Sequence, residues 1–178
     1  MASFSEIQNF NKLFDEYNER FIRFAFGYVK ERAAAEDFVS EAFISYWENR
    51  RELSSDTHPP AYILTIVKNK CLNFLQHRRV RQKVNEELKN HSDWVLQTKI
   101  STLEACDPNF LFSEEIQSII DDTLQKLPKK THQIFVYSRD HGLTYSEIAK
   151  KTKLSQKSIE YHVSKALEEL RAALKDFI

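Results

Sequence analysis

The chain has 178 residues, 42% of them hydrophobic, with two glycines, four prolines and a formal net charge of zero. That length holds one domain or two small ones with an ordinary core. So few glycines and prolines exclude a turn-rich β architecture and any glycine-rich phosphate loop, and favour an all-α build. No apolar run is long enough to span a membrane and the first residues show no signal-peptide pattern, so a cytoplasmic protein without membrane insertion is expected. Cys71 and Cys106 form no metal-type pair and read as reduced thiols.

The zero total hides a segregation of charge. Residues 1–49 are net −4, residues 50–83 net +6, residues 84–112 net −3 and residues 113–178 net +1. A basic block therefore follows an acidic one. The balanced total argues against strong non-specific DNA affinity of the isolated chain, because that affinity scales with the phosphates neutralised.

In chain order, residues 5–28 read as a long helix. Ile7, Phe10, Phe14, Tyr17, Phe21, Phe24 and Tyr28 recur at steps of three or four and make a core stripe. Residues 33–49 read as a second helix, with Phe38, Ala42, Phe43, Tyr46 and Trp47 inward and Asp37, Ser40, Glu41 and Glu48 outward. Charge pattern alone makes those carboxylates a solvated face. A polar loop follows over 50–60, and Pro60 suits a first helical position.

The third helix is expected over about 60–81. Ile63, Ile66, Val67, Cys71, Phe74 and Leu75 form its buried side. Lys68, Lys70, Asn73, Gln76, Arg78, Arg79, Arg81 and Lys83 form a basic side. That side could track a phosphate backbone, with Tyr62, Trp47 and Phe74 stacking unpaired bases, or could be a solvated helix end. Residues 84–112 lose the pattern and read as an acidic linker with some helix joining two domains, on one of which its Trp94 and Phe112 could dock.

Beyond it, Ile116, Ile119, Ile120, Leu124 and Leu127 repeat helically up to Pro128. A further helix carries Ile134, Phe135 and Tyr137 up to Asp140, with Gly142 as its C-cap. Thr144 then opens a capping box with Glu147, and Ser155 is a second N-cap. The first helix of this pair can run only over about 145–151, and the link at 152–154 is short. Such spacing predicts a helix-turn-helix, although Lys153 stands where glycine is common. Ile148, Leu154, Ile159 and Val163 close the pair, with Ala149 at the close approach. The second helix buries Ile159, Val163, Ala166, Leu167, Leu170 and Leu174. Its other face shows Gln156, Lys157, Ser158, Glu160, Tyr161, Ser164 and Lys165, a mixed set suited to base edges and phosphates. The plainer alternative is a helical hairpin with a solvated face. His162 could contact DNA or pack at the crossing.

No catalytic constellation is legible. The six histidines share no metal-ligand spacing, so no metal and no cofactor are expected, and an enzyme is the least favoured class.

The order of parts resembles bacterial RNA polymerase sigma factors of the compact, two-domain extracytoplasmic-function group. Residues 35–47 (AEDFVSEAFISYW) resemble the region that grips the polymerase clamp helices. Residues 60–75 (PAYILTIVKNKCLNFL), followed by Arg78 and Arg79, resemble the promoter-melting region, and residues 127–171 resemble the fourth region with its helix-turn-helix. The resemblance implies two helical domains, residues 1–83 and 113–178, joined by a linker over 84–112. It implies that Asp37, Ser40 and Glu41 meet the large polymerase subunit. Ser55, Asp56, Lys68, Lys70, Asn73, Arg78 and Arg79 would then hold the −10 element as a single strand. Gln156, Lys157, Ser158, Glu160, Tyr161, Ser164 and Lys165 would read the −35 duplex. Core RNA polymerase, promoter DNA and an anti-sigma factor are the implied partners. Glu160 and His162 stand where many relatives carry basic residues. Two other readings are a response-regulator-type transcription factor, to which residues 143–167 also bear a likeness, and a helical protein-interaction adaptor. The helical periods of residues 1–83 disfavour the former.

Overall fold

A computed structural model describes residues 4–84 and 91–175. These residues form nine helices and no strand, in two compact units, residues 1–112 and 113–178. The first unit contains α1 (Phe4–Val29), α2 (Arg32–Asn49), α3 (Pro59–Val84), α4 (His91–Ala105) and the one-turn α5 (Pro108–Leu111). The second contains α6 (Glu114–Lys126), α7 (Lys129–Arg139), α8 (Tyr145–Thr152) and α9 (Gln156–Ala173).

α1 runs through Gly27 and stops at Lys30, which lies in the left-handed region at φ 62°. Its N–H donates to the Phe26 carbonyl at 3.0 Å. That conformation costs a non-glycine residue about 1–2 kcal/mol, and the fully buried Val29 and Ala35 on either side hold the corner. α2 starts at Glu31 without a side-chain cap; Arg32 instead pairs with Glu36 one turn on, at 2.6 Å. At its other end the Arg50 guanidinium lies 3.6 Å from the centre of the Trp47 ring. α3 opens on Pro59 and Pro60, whose missing N–H groups cost nothing in a first turn, and the His58 carbonyl accepts from Tyr62 N at 3.0 Å.

The core of this unit joins Phe21, Ile22, Ala25 and Val29 of α1 to Val39, Ala42 and Phe43 of α2 and to Ile63, Val67, Cys71 and Leu75 of α3. Each large side chain so buried is worth about 1.5–3 kcal/mol. The aromatic stripe of α1 is less buried than its period suggests: Ile7 and Phe14 are 42% and 38% exposed. At 26 residues α1 is roughly 39 Å long and outruns the 18-residue α2, so its first turns are covered on one side only. Phe14 still meets Phe43 at 5.0 Å between ring centres, and Phe10 meets Trp47 at 4.9 Å.

The stretch expected as a linker differs most. Residues 91–112 fold onto the first unit, with Leu96, Ile100 and Leu103 buried in its core. Those three recur at steps of four and three, a short apolar stripe masked by the polar residues around it. Phe112 docks against Tyr17, Phe21 and His58 at 5.8, 6.4 and 5.4 Å, whereas Trp94 is 65% exposed. The acidic residues Glu86 and Glu87, and the side chain of Lys83, lie outside the described part.

In the second unit, Ser113 caps α6 by accepting from Ile116 N at 3.4 Å. Leu127 and Pro128 are extended between α6 and α7. α7 ends at Asp140, and Gly142 takes φ 63° in the turn to α8. Ile134, Ile148, Ile159 and Val163 form the centre of one cluster, and Leu127, Phe135 and Ala166 that of a second.

Candidate nucleic-acid interface

The helix-turn-helix is built from local signals. Thr144 Oγ1 accepts from Glu147 N at 3.3 Å, and Glu147 Oε2 accepts from Thr144 N at 2.8 Å. The Thr144 hydroxyl also donates to Glu147 Oε2 at 2.7 Å, and that bond, followed by the one from the Thr144 N–H, holds the Glu147 carboxyl below the usual carboxylate range. α8 ends at Lys153, left-handed at φ 55°. The Leu154 N–H returns to the Ala149 carbonyl at 3.1 Å, and both side chains pack on the cluster around Ile148. That is a Schellman-type stop with lysine in the glycine position. Ser155 then caps α9 by accepting from Ser158 N at 3.2 Å.

Ile159, Val163 and Ala166 turn α9's inner side into the bundle. Gln156, Lys157, Glu160, Tyr161 and Ser164 are exposed, with Lys157, Tyr161 and Ser164 in one row at steps of four and three. Tyr161 is 61% exposed. Two residues grouped with them sit differently. Ser158 is half-buried, and its N–H is taken by the cap. Lys165 is also half-buried and borders a cleft of about 330 Å³ with Lys126, Leu127 and Glu169. His162 belongs to the packing: its Nδ1 lies 2.9 Å from Oγ1 of the buried Thr131 on α7. Burial there pushes the imidazole pKa down, and the Lys130 ammonium adds to it.

In the first unit, the seven residues expected to meet a single strand do not form one open surface. Asn73 and Arg78 are exposed on α3. Ser55 and Asp56 lie in the loop before it, joined at 3.2 Å from the serine hydroxyl to the carboxylate. Lys70 donates to Glu41 of α2, so a residue expected at DNA holds one expected at polymerase. Lys68 donates to the carbonyls of Glu104, at 3.3 Å, and Cys106. Arg79 Nε donates to Asp93 Oδ1 at 3.3 Å. Tyr62, Trp47 and Phe74 are engaged with Tyr46, Phe10 and Phe38. Base stacking on them is thereby reduced to whatever edge the packing leaves. The signal that could have revealed the α4 contacts is the spacing of Leu96, Ile100 and Leu103.

Asp37, Ser40 and Glu41 are exposed on one side of α2, and Ile44, 56% exposed, and Glu48 continue the same row. Among the described residues no group of three or more His, Cys, Asp or Glu could hold a metal, and no helix is long and apolar enough to cross a membrane.

Two family models match the chain in succession: Sigma-70 region 2 over residues 13–81 and Sigma-70 region 4 over residues 117–170. The chain belongs to the sigma-70 family of RNA polymerase sigma factors. A "Probable RNA polymerase sigma factor" of Haemophilus influenzae is 25% identical over 155 residues, which are 82% of this sigma factor and 79% of that one. The ferric citrate uptake sigma factor FecI of Escherichia coli K12 is 43% identical over 54 residues, 30% of this chain and 31% of FecI. Among solved structures, the sigma factor RpoE of Bartonella quintana, crystallised with the anti-sigma factor NepR, aligns over 96% of this chain and 99% of its own, with 17% identity and a TM-score of 0.37. The family match sets aside the response-regulator and adaptor readings.

Proposed function

We propose that this sigma factor divides its work between its units as follows. Residues 1–83 bind core RNA polymerase through Asp37, Ser40 and Glu41 of α2 and hold the melted −10 strand along α3 and the Ser55–Asp56 loop. Residues 113–178 read the −35 duplex with the exposed side of α9. Residues 84–112 connect them, and their helical part braces the first unit. A splayed-out single strand suits a basic helix edge, since phosphates are held by Lys and Arg while bases remain free to be read. A helix entering the major groove reads base edges with its first turns, which is where Gln156, Lys157 and Glu160 stand. Glu160 can accept from a cytosine amino group.

The protein makes and breaks no bond itself, works in the cytoplasm where the promoter is, and is held inactive by an anti-sigma partner until needed. Its zero net charge supports a division of labour: weak DNA binding alone, with polymerase supplying the remaining affinity. The observation that carries the reading is the succession of the two family regions on two separately packed units.

Run-off transcription with core polymerase tests it. A product that requires this chain is expected. Lys157→Ala with Lys165→Ala lowers promoter-directed initiation and leaves core binding intact, and Asp37→Arg does the reverse. An equal fall in core binding in both variants would remove the assignment of these faces.

A further inference from the structure

α4 lies antiparallel to α3, and polar groups at its two ends take up two cations of the proposed −10 face. Near its C-terminal end the Lys68 ammonium is held by the Glu104 and Cys106 carbonyls. The last carbonyls of a helix lack intrahelical partners and carry the negative end of its dipole, so they satisfy an ammonium much as phosphate oxygens would. Near its N-terminal end the Asp93 carboxylate accepts from Arg79 at 3.3 Å. Lys68 and Arg79 are roughly 16 Å apart along a helix, and Leu96, Ile100 and Leu103 are buried in between.

The two ends differ in how easily they are exchanged. Lys68 is bound to main chain close to the fully buried Leu103, so it clamps α4 in place. The Arg79 and Asp93 side chains are 31% and 44% exposed, and an ion pair that water reaches is weak. We propose that Asp93 is an internal surrogate for a promoter phosphate. It occupies the Arg79 guanidinium in the free sigma factor, and a strand laid along α3 gains that cation by displacing the carboxylate while the rest of α4 stays docked. This rests on the reading of α3 as the −10 face. It makes Asp93 a built-in brake on single-strand binding, and Lys68 a positioning residue.

The experiment is a double-mutant cycle on the holoenzyme. Its probe is a fluorescent single-stranded DNA carrying the non-template −10 sequence of a promoter that the holoenzyme transcribes. Asp93→Asn should tighten binding by about two- to fivefold, the range set by an exposed ion pair. In an Arg79→Ala background the same substitution should change nothing, and thermal unfolding should show α4 undisturbed. A neutral or weakening effect of Asp93→Asn, with the wild type binding the probe, would overturn the surrogate. So would a gain that persists without Arg79, since it would be a general charge effect. Binding indifferent to Asn73→Ala, Arg78→Ala and Arg79→Ala combined would overturn the α3 reading itself, and the proposal with it.

Discussion

α9 in the second unit and α3 in the first are both long helices with a polar side turned toward a proposed DNA contact, yet they hold that side differently. On α9 the row through Lys157, Tyr161 and Ser164 is exposed and its order is set by local caps. On α3, Lys68, Lys70 and Arg79 are each engaged by another helix of the same unit. A duplex reader can be a preformed surface, because the groove it enters already exists. A surface for single-stranded DNA, the role proposed for α3, meets a ligand that exists only after melting, and without it Lys68, Lys70 and Arg79 are satisfied by intramolecular oxygens.

The sharpest way to break this contrast is Leu103→Ala. Buried in α4, it should cost the first unit about 2–5 kcal/mol, read as a fall in its unfolding midpoint. A bare tether over residues 84–112 would leave that midpoint unchanged. Next in size is Thr144→Ala. Loss of the capping box should cost the second unit about 1 kcal/mol, with no change in the first. Lys153→Gly should act in the opposite direction by less than about 1–2 kcal/mol, because it relieves the left-handed strain while loosening the unfolded chain; an unchanged or lower unfolding midpoint would place the stop elsewhere.

Smaller still is a pH effect. His162 has its folded pKa pushed below its ordinary value of 6.5 by burial, then by Lys130. Protonation therefore favours the unfolded chain, and this contribution is complete above pH 6.5 and declines as the pH falls below it. Denaturant midpoints of the second unit between pH 7.5 and 5.5 should drop more for the wild type than for His162→Gln; parallel curves would contradict the desolvation of the imidazole in the folded unit. The finest test separates two lysines of α9. Lys157→Ala should reduce the salt dependence of promoter binding by about one phosphate contact. The half-buried Lys165 should reduce it less when replaced, and equal slopes would put both at the DNA.

The elements that were readable in advance are those whose causes are local. The capping box at Thr144 and Glu147, the cap at Ser155, the short α8 and the left-handed position at Lys153 all follow from residues within one or two turns. The stripe of α3 and the inward residues of α2 were readable because helical burial repeats. What escaped was tertiary. α4 carries three apolar residues among polar ones, a stripe too short to stand out, and its docking depends on the core that α1, α2 and α3 build together, which no local pattern encodes. The same holds for the candidate site. Exposure of Lys157 follows from its place on α9, whereas the occupation of Lys68 and Arg79 depends on a helix about fifteen to forty residues further along the chain. His162 lay between these cases: its position on α9 allowed two fates, and the hydroxyl of Thr131 opposite decides for packing.

The most direct measurement is site-specific photocrosslinking in the promoter complex with core polymerase, with the crosslinker placed in turn at Tyr161 and at Asn73. The account predicts that position 161 labels duplex DNA at the −35 element and that position 73 labels the non-template strand at the −10 element. Labelling of the same promoter half from both positions, or of polymerase alone from either, would contradict it.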